Sequence, residues 1–299
     1  MELKEFAKKV HRTMSDVLGE DFEVTLQEVQ KNNGVLLWGL IILRKGKNIS
    51  PTIYLEPFWE AYESGVIYAE IISRILQIYR EDTPQDSIDM SFFREFDKVK
   101  DRICYRLIHA EKNKSLLEKI PHIPFLDMAI CFYYSYVDDF LGKGSILIYN
   151  THVAMWNTSV TELLKAAQSN TPKLFRWECI SMDMAMQELR DEVRLPMEDM
   201  EHIAQLPMYI VTNQQKIFGS SCILYPDFLF LLAEKMDSDF YILPSSIHEV
   251  ILLKDTGNEN PWELKEMIAE VNRTQVEPEE VLSDSLYYFN RKEKNVKII

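Results

Sequence analysis

Five consecutive residues, Ser245, Ser246, Ile247, His248 and Glu249, bring hydroxyls, an imidazole and a carboxylate together. These are the parts of a hydrolase. A serine nucleophile needs a base within hydrogen-bond reach and an oxyanion hole. If 247–253 is a strand, however, His248 and Glu249 point to opposite faces and form no relay by themselves. The chain also lacks a Gly-x-Ser-x-Gly elbow. The simpler reading is a tight turn. Pro244 fixes φ, both serines bond local backbone, and the sheet ladder lapses at Pro244 and resumes at Ile247.

A second group, Asn150, Thr151, His152 and Trp156, follows the end of an expected strand, where small-ligand sites often sit. A helix cap at Asn150 or Thr151 explains the same residues without a ligand. The candidate binding residues are therefore Asn150, His152, Trp156, Ser245, Ser246, His248 and Glu249, with no catalytic residue assigned. The six histidines show no HxxxH or HExxH spacing, and there is no CxxC pair. No glycine-rich loop opens a helix after a strand. The expectation is no metal and no cofactor. Cys104, Cys131, Cys179 and Cys222 lie far apart among apolar neighbours, which suits reduced, mostly buried thiols in the cytoplasm.

The elements that must position these groups follow from periodicity and turn chemistry. Leu3, Phe6, Ala7, Val10, Met14, Val17 and Leu18 make one stripe of an amphipathic helix that Gly19 stops. Asn33-Gly34 joins two strands as a hairpin. A short strand at 50–56 and helices at about 57–63 and 65–80 come next, and 99–109 fits either strand or helix. Further on, 128–137 reads as a strand with 145–149 as its partner. Ser159 and Glu162 form a capping box for a helix ended by Asn170 and Pro172. Strands follow at 175–180 and 208–212, and a helix at 226–236. Residues 240–243 and 247–253 pair as strands. Asn260, Pro261 and Glu263 open a helix burying Leu264, Met267, Ile268 and Val271. Residues 285–290 form a last strand, and Arg291 to Lys294 an exposed basic tail. Hairpin-linked strands interspersed with amphipathic helices define an α+β fold with mainly antiparallel or mixed sheets. Composition places a boundary near 112, between a small N-terminal α+β unit (1–112) and a larger C-terminal α+β domain (113–299).

The 299 residues carry a formal charge of −14. Residues 183–202 hold seven acids against Arg190 and Arg194, and 255–284 hold nine against Lys265 and Arg273, so −5 and −7 of that charge sit in two segments. The expectation is one shared negative face. Such a chain does not bind nucleic acid by neutralising phosphates, but it can attract a protein with a basic surface. Six of the thirteen methionines, from Met182 to Met208, coincide with the first acidic segment and suit either core filling or an adaptable surface. No apolar run approaches the roughly 18–20 residues that span a bilayer, and the charged N-terminus is not a signal peptide. Oligomeric state is not specified.

At Lys31-Asn32-Asn33-Gly34, at Ser50 to Glu56, at Ile148 to His152 and at Leu243 to Val250, the chain resembles the bacterial domain of unknown function family 5688. Asn272 to Val276 and Val281 to Ser285 fit as well. The resemblance implies a bacterial protein, often encoded near mobile elements, and brings no assigned activity to any residue. The leading expectation is an acidic interaction or inhibitor protein linked to mobile elements. The alternative is a hydrolase with a site around His248 or His152.

Overall fold

The computed structural model describes residues 1–83, 90–138, 142–193 and 207–299. The fold is α+β, and the sheets of the described residues are antiparallel. The chain divides into two compact units, Met1–Phe92 with Val137–Gly142, and Phe93–Tyr136 with Lys143–Ile299.

In the first unit, α1 (Leu3–Leu18) precedes the strands β1 (Phe22–Gln30), β2 (Leu36–Arg44) and β3 (Thr52–Tyr54) and the helices α2 (Glu56–Glu63) and α3 (Tyr68–Asp82). Phe6, Ala7, Val10 and Met14 of the α1 stripe are buried against Leu40 and Ile42 of β2 and Ile71, Ile72 and Ile75 of α3. Val17, on the same sequence stripe, is exposed. The hairpin turn forms where Asn33 and Gly34 take φ of 58° and 72°, conformations that Asn and Gly tolerate best.

In the second unit come β4 (Ile103–His109), β5 (His122–Phe125), β6 (Met128–Asp138) as far as Tyr136 and β7 (Gly142–Leu147) from Lys143, with the short helices α4 (Phe96–Val99) and α5 (Lys114–Leu117). β6 pairs with β4, β5 and β7. Residues 93–112 group with the second unit, and all seven residues of β4 are in register with β6. Next are α6 (Asn150–Trp156) and α7 (Val160–Leu174). The capping box is present: Glu162 N donates to Ser159 Oγ and Ser159 N to Glu162 Oε2. α7 runs through Pro172 instead of ending there. Tertiary bonds outweigh the lost ladder bond: Asn170 Nδ2 donates to Lys100 O and Ile103 O, and Thr171 Oγ1 accepts from Tyr105 N.

The second sheet of this unit contains β8 (Trp177–Ser181), β9 (Met208–Asn213), β10 (Phe240–Pro244), β11 (Val250–Lys254), β12 (Tyr287–Asn290) and β13 (Asn295–Ile298) in the order β13-β12-β10-β11-β9-β8. Its helices are α8 (Met182–Val193), α9 (Phe228–Met236) and α10 (Pro261–Thr274). Both faces of its centre are buried, which explains the near-continuous apolar runs of β10 and β11. Tyr241, Leu243, Leu253 and Met208 face Leu264 and Ile268 of α10 and Met182 of α8. Phe240, Ile242, Val250, Leu252 and Val211 are buried on the other face. β13 replaces the expected tail: Lys294, at φ 51°, closes a hairpin that pairs 295–298 with β12.

The acidic helices thus start from one sheet face. Within 183–202, only Asp183 has a described acidic side chain, and Glu198, Asp199 and Glu201, with Met197 and Met200, lie outside the described residues. Cys104, Cys131 and Cys222 are buried free thiols, pushed up to about 12 by burial, and Cys179 is half-buried.

Candidate functional site

Residues Ser245 to Glu249 form a loop between β10 and β11, and the ladder behaves differently from the expectation. Pro244 still stands opposite Val250, and pairing then stops for five residues. Ile247 N donates to Glu280 O (2.8 Å), outside the sheet. Ser246 is buried; its Oγ accepts from His248 N (3.0 Å) and its N donates to Glu249 O. The Ser245 hydroxyl makes no hydrogen bond among the described residues, contrary to the expectation of two bonded serines, because Ser246 alone sits where the loop turns back on itself.

A second segment clamps this loop from the other side. Thr212 Oγ1 donates to His248 O (2.8 Å) and Ser220 Oγ to Ile247 O (2.7 Å). Phe218, in the left-handed region at φ 53°, donates its N–H to His248 Nδ1 (3.2 Å). That bond fixes the tautomer of the neutral ring. Nδ1 accepts, so Nε2 carries the hydrogen, and it faces Glu280 Oε1 at 3.4 Å. Nδ1 is thereby engaged, Nε2 stands near a carboxylate, and neither nitrogen faces a serine. Among the described residues no serine, threonine or cysteine side chain hydrogen-bonds a histidine ring nitrogen. Glu249 belongs to the same loop but takes no part in the pairing; Glu280, remote in sequence, does.

Phe218 links the loop to the other sheet of this unit. Its ring stacks on His248 (5.8 Å between centroids, 10° between planes) and meets Tyr133 at 5.2 Å. The Arg106 guanidinium lies 4.7 Å from its centroid. Arg106 Nε is sealed from solvent without a hydrogen-bond partner, although the residue keeps some exposure. Burial lowers its pKa, opposed by Cys131, Tyr133 and Tyr149. The arrangement is a packed cation–aromatic contact.

Asn150, His152 and Trp156 come together on α6, and each is committed to structure. Asn150 Nδ2 donates to Glu118 O, and Trp156 Nε1 to Phe93 O (2.7 Å). His152 Nδ1 accepts from Tyr149 N (3.1 Å), closing the start of the helix. Its ring stands edge-on to Phe93 at 5.1 Å and lies 5.7 Å from Trp156. Burial lowers the His152 pKa, keeping it neutral near neutral pH.

Sequence reading missed Asp127. Its Oδ2 accepts from Ser283 Oγ (2.7 Å) and Ser285 Oγ (2.8 Å), and Oδ1 from Tyr287 Oη (2.5 Å). A lone aspartate in a β-turn gives no signal that three hydroxyls more than 150 residues away will converge on it. The Ser283-Asp284-Ser285 spacing was the available clue.

Fold and site define an α+β protein whose histidine candidates are held by backbone. The chain belongs to the family of unknown function DUF5688, whose sequence profile it matches over residues 3–291. No curated protein and no solved structure matches it. Among the described residues no helix is long and apolar enough to cross a membrane.

The clamp yields a direct expectation. Ser246→Ala should cost about 1 kcal/mol, the usual value of one hydrogen bond, whereas Ser245→Ala should fall within about 0.5 kcal/mol of wild type. Urea unfolding of both variants checks this. Equal losses would contradict the asymmetry between the two hydroxyls.

Proposed function

We propose that the protein works by binding another protein through the outer face of α10, and that this partner presents a basic, partly apolar surface. One observation carries the reading. Trp262 is 67% exposed, and Glu263, Glu266 and Glu270 are exposed with Met267 on the same outward side of the helix. Leaving an indole in water has a free-energy cost, and tryptophan is a common centre of binding energy in protein interfaces. Carboxylates around it would steer a basic partner and reject acidic ones.

The helix is well built for presentation. Asn260 Oδ1 accepts from Trp262 N, and Leu264 and Ile268 anchor the opposite side in the sheet core. A preorganised helix loses little entropy on binding. The hydrogen bond held by His248 Nδ1, with no serine facing either ring nitrogen, weighs for binding over hydrolysis. Free, widely spaced thiols, three of them buried, support a reducing, cytoplasmic location. An acidic face of this kind suits an inhibitor that competes for the phosphate-binding surface of a DNA-processing enzyme, in keeping with the mobile-element link that the resemblance implies.

The test compares capture from native lysate by wild type and by a Trp262→Ala/Glu266→Lys variant. Wild type should retain a basic protein that elutes at raised salt. The variant should bind that protein at least roughly 30-fold more weakly, the equivalent of about 2 kcal/mol for a lost central tryptophan, with an unchanged melting temperature. Equal retention of the same proteins by both would reject α10 as the contact.

A further inference from the structure

β8 carries a surface of opposite electrostatic character. It is the last strand of its sheet, and no described strand pairs with its outer edge. At the start of the strand, where Trp177 takes part, opens a groove of about 560 Å³, whose apolar wall includes Trp177, Phe228, Leu231 and Leu232 and whose charged groups are Arg176 and Lys235. Trp177 is 48% exposed, with its ring 5.2 Å from Phe228, and Leu231 is 62% exposed. Among the described residues no acid lines the groove. Neither Arg176 nor Lys235 forms an ion pair among the described residues. In a chain with a formal charge of −14, an acid-free apolar groove with two unpaired cations stands apart from its surroundings.

We propose that the β8 edge and this groove together take an extended peptide segment in which a large apolar side chain is flanked by acidic residues. A free strand edge offers unpaired N–H and C=O groups, and an added strand satisfies them. Side chains alternate along such a strand, so every second residue reaches the same wall. The apolar residue fills the space against Trp177 and Leu231. Arg176 and Lys235 receive the carboxylates, which in turn fits the absence of acids from the lining. This surface is independent of the α10 face, which selects a partner of the opposite charge.

The probe is a fluorescein-labelled peptide of about eight residues that alternates glutamate with leucine and phenylalanine, long enough to cover an average strand. Fluorescence anisotropy with the full chain should show saturable binding that weakens as salt rises. Arg176→Glu/Lys235→Glu should weaken it at least roughly tenfold and should instead bind the probe in which lysine replaces glutamate. That exchange of preference shows that the variant is folded. Methylating alternate backbone nitrogens on the strand-pairing side should abolish binding to wild type. Three results would overturn the proposal. The first is no wild-type binding up to about 1 mM, the weak limit of useful affinity. The second is equal binding of the N-methylated probe together with its displacement by dodecanoate, which makes the groove a small-molecule pocket. The third is concentration-dependent self-association that the charge-reversal variant removes, which makes the occupant a second copy.

Discussion

Gly219→Ala should lower the thermal midpoint by roughly 6–12 °C. A Cβ built on Gly219 would collide with Thr212 Oγ1 and stand 2.5 Å from His248 O and 2.8 Å from Asn213 N. Two of these three atoms are backbone, so no rotamer change relieves them. Thr212 Oγ1 is itself bonded to His248 O, so moving it breaks the clamp on the 245–249 loop. Overpacking of this kind costs about 3 kcal/mol, and each kcal/mol shifts the midpoint by about 2–4 °C in a domain of this size. The close approach of the 3-10 helix Gly219–Leu224 to the loop is thus the reason for a glycine here. Circular-dichroism melts decide the matter. A change below about 2 °C would show that the helix shifts freely and that the clamp contributes little. Thr212→Ala combined with Gly219→Ala should recover only part of the loss, because the two backbone contacts remain.

Asp127→Ala should destabilise by about 3 kcal/mol or more, since it leaves Ser283, Ser285 and Tyr287 hydroxyls without their acceptor. Hydrogen bonds to a charged group are worth about 1.5–3 kcal/mol each, and they are not additive. Ser283 and Tyr287 are buried, so water replaces the lost partner poorly. The same bonds predict a pH dependence. Burial alone would raise the Asp127 pKa, but the bonds from Tyr287, Ser283 and Ser285 outweigh it and hold the carboxyl below its usual range. A depressed folded pKa means that the carboxylate's stabilisation is fully present above the unfolded value of about 3.9. It is lost as pH falls through the lower folded value. The stability gap between wild type and Asp127→Asn should therefore be constant from neutral pH to about pH 5 and narrow below about pH 4. A gap independent of pH down to acid unfolding would show that Asp127 acts only as a neutral acceptor.

Much of the architecture was legible locally. The α1 stripe, the Asn33-Gly34 turn, the Ser159–Glu162 box and the Asn260 cap are short-range devices, written within four residues of where they act. Each formed as its residues specify. The failures share a different cause. Pro172 did not end α7 because Asn170 and Thr171 gain bonds from residues 66 to 70 positions away. The tail became β13 because the edge of β12 was there to pair with it.

The candidate site divides in the same way. Ser245 to Glu249 could be recognised as a turn after Pro244, and α6 as a helix carrying Asn150, His152 and Trp156. The sequence itself determined which residues could turn, cap or alternate, and that the acids gather in two segments. Only tertiary structure decided that His248 meets Phe218 and Glu280 rather than Ser245 or Glu249, that Asp127 collects three hydroxyls, and that Trp262 faces outward while Trp156 is buried. Local dihedral preferences act between neighbours and can be read from them. Which side chain fills which space depends on the packing of segments far apart in the chain, and no short window of sequence contains that information.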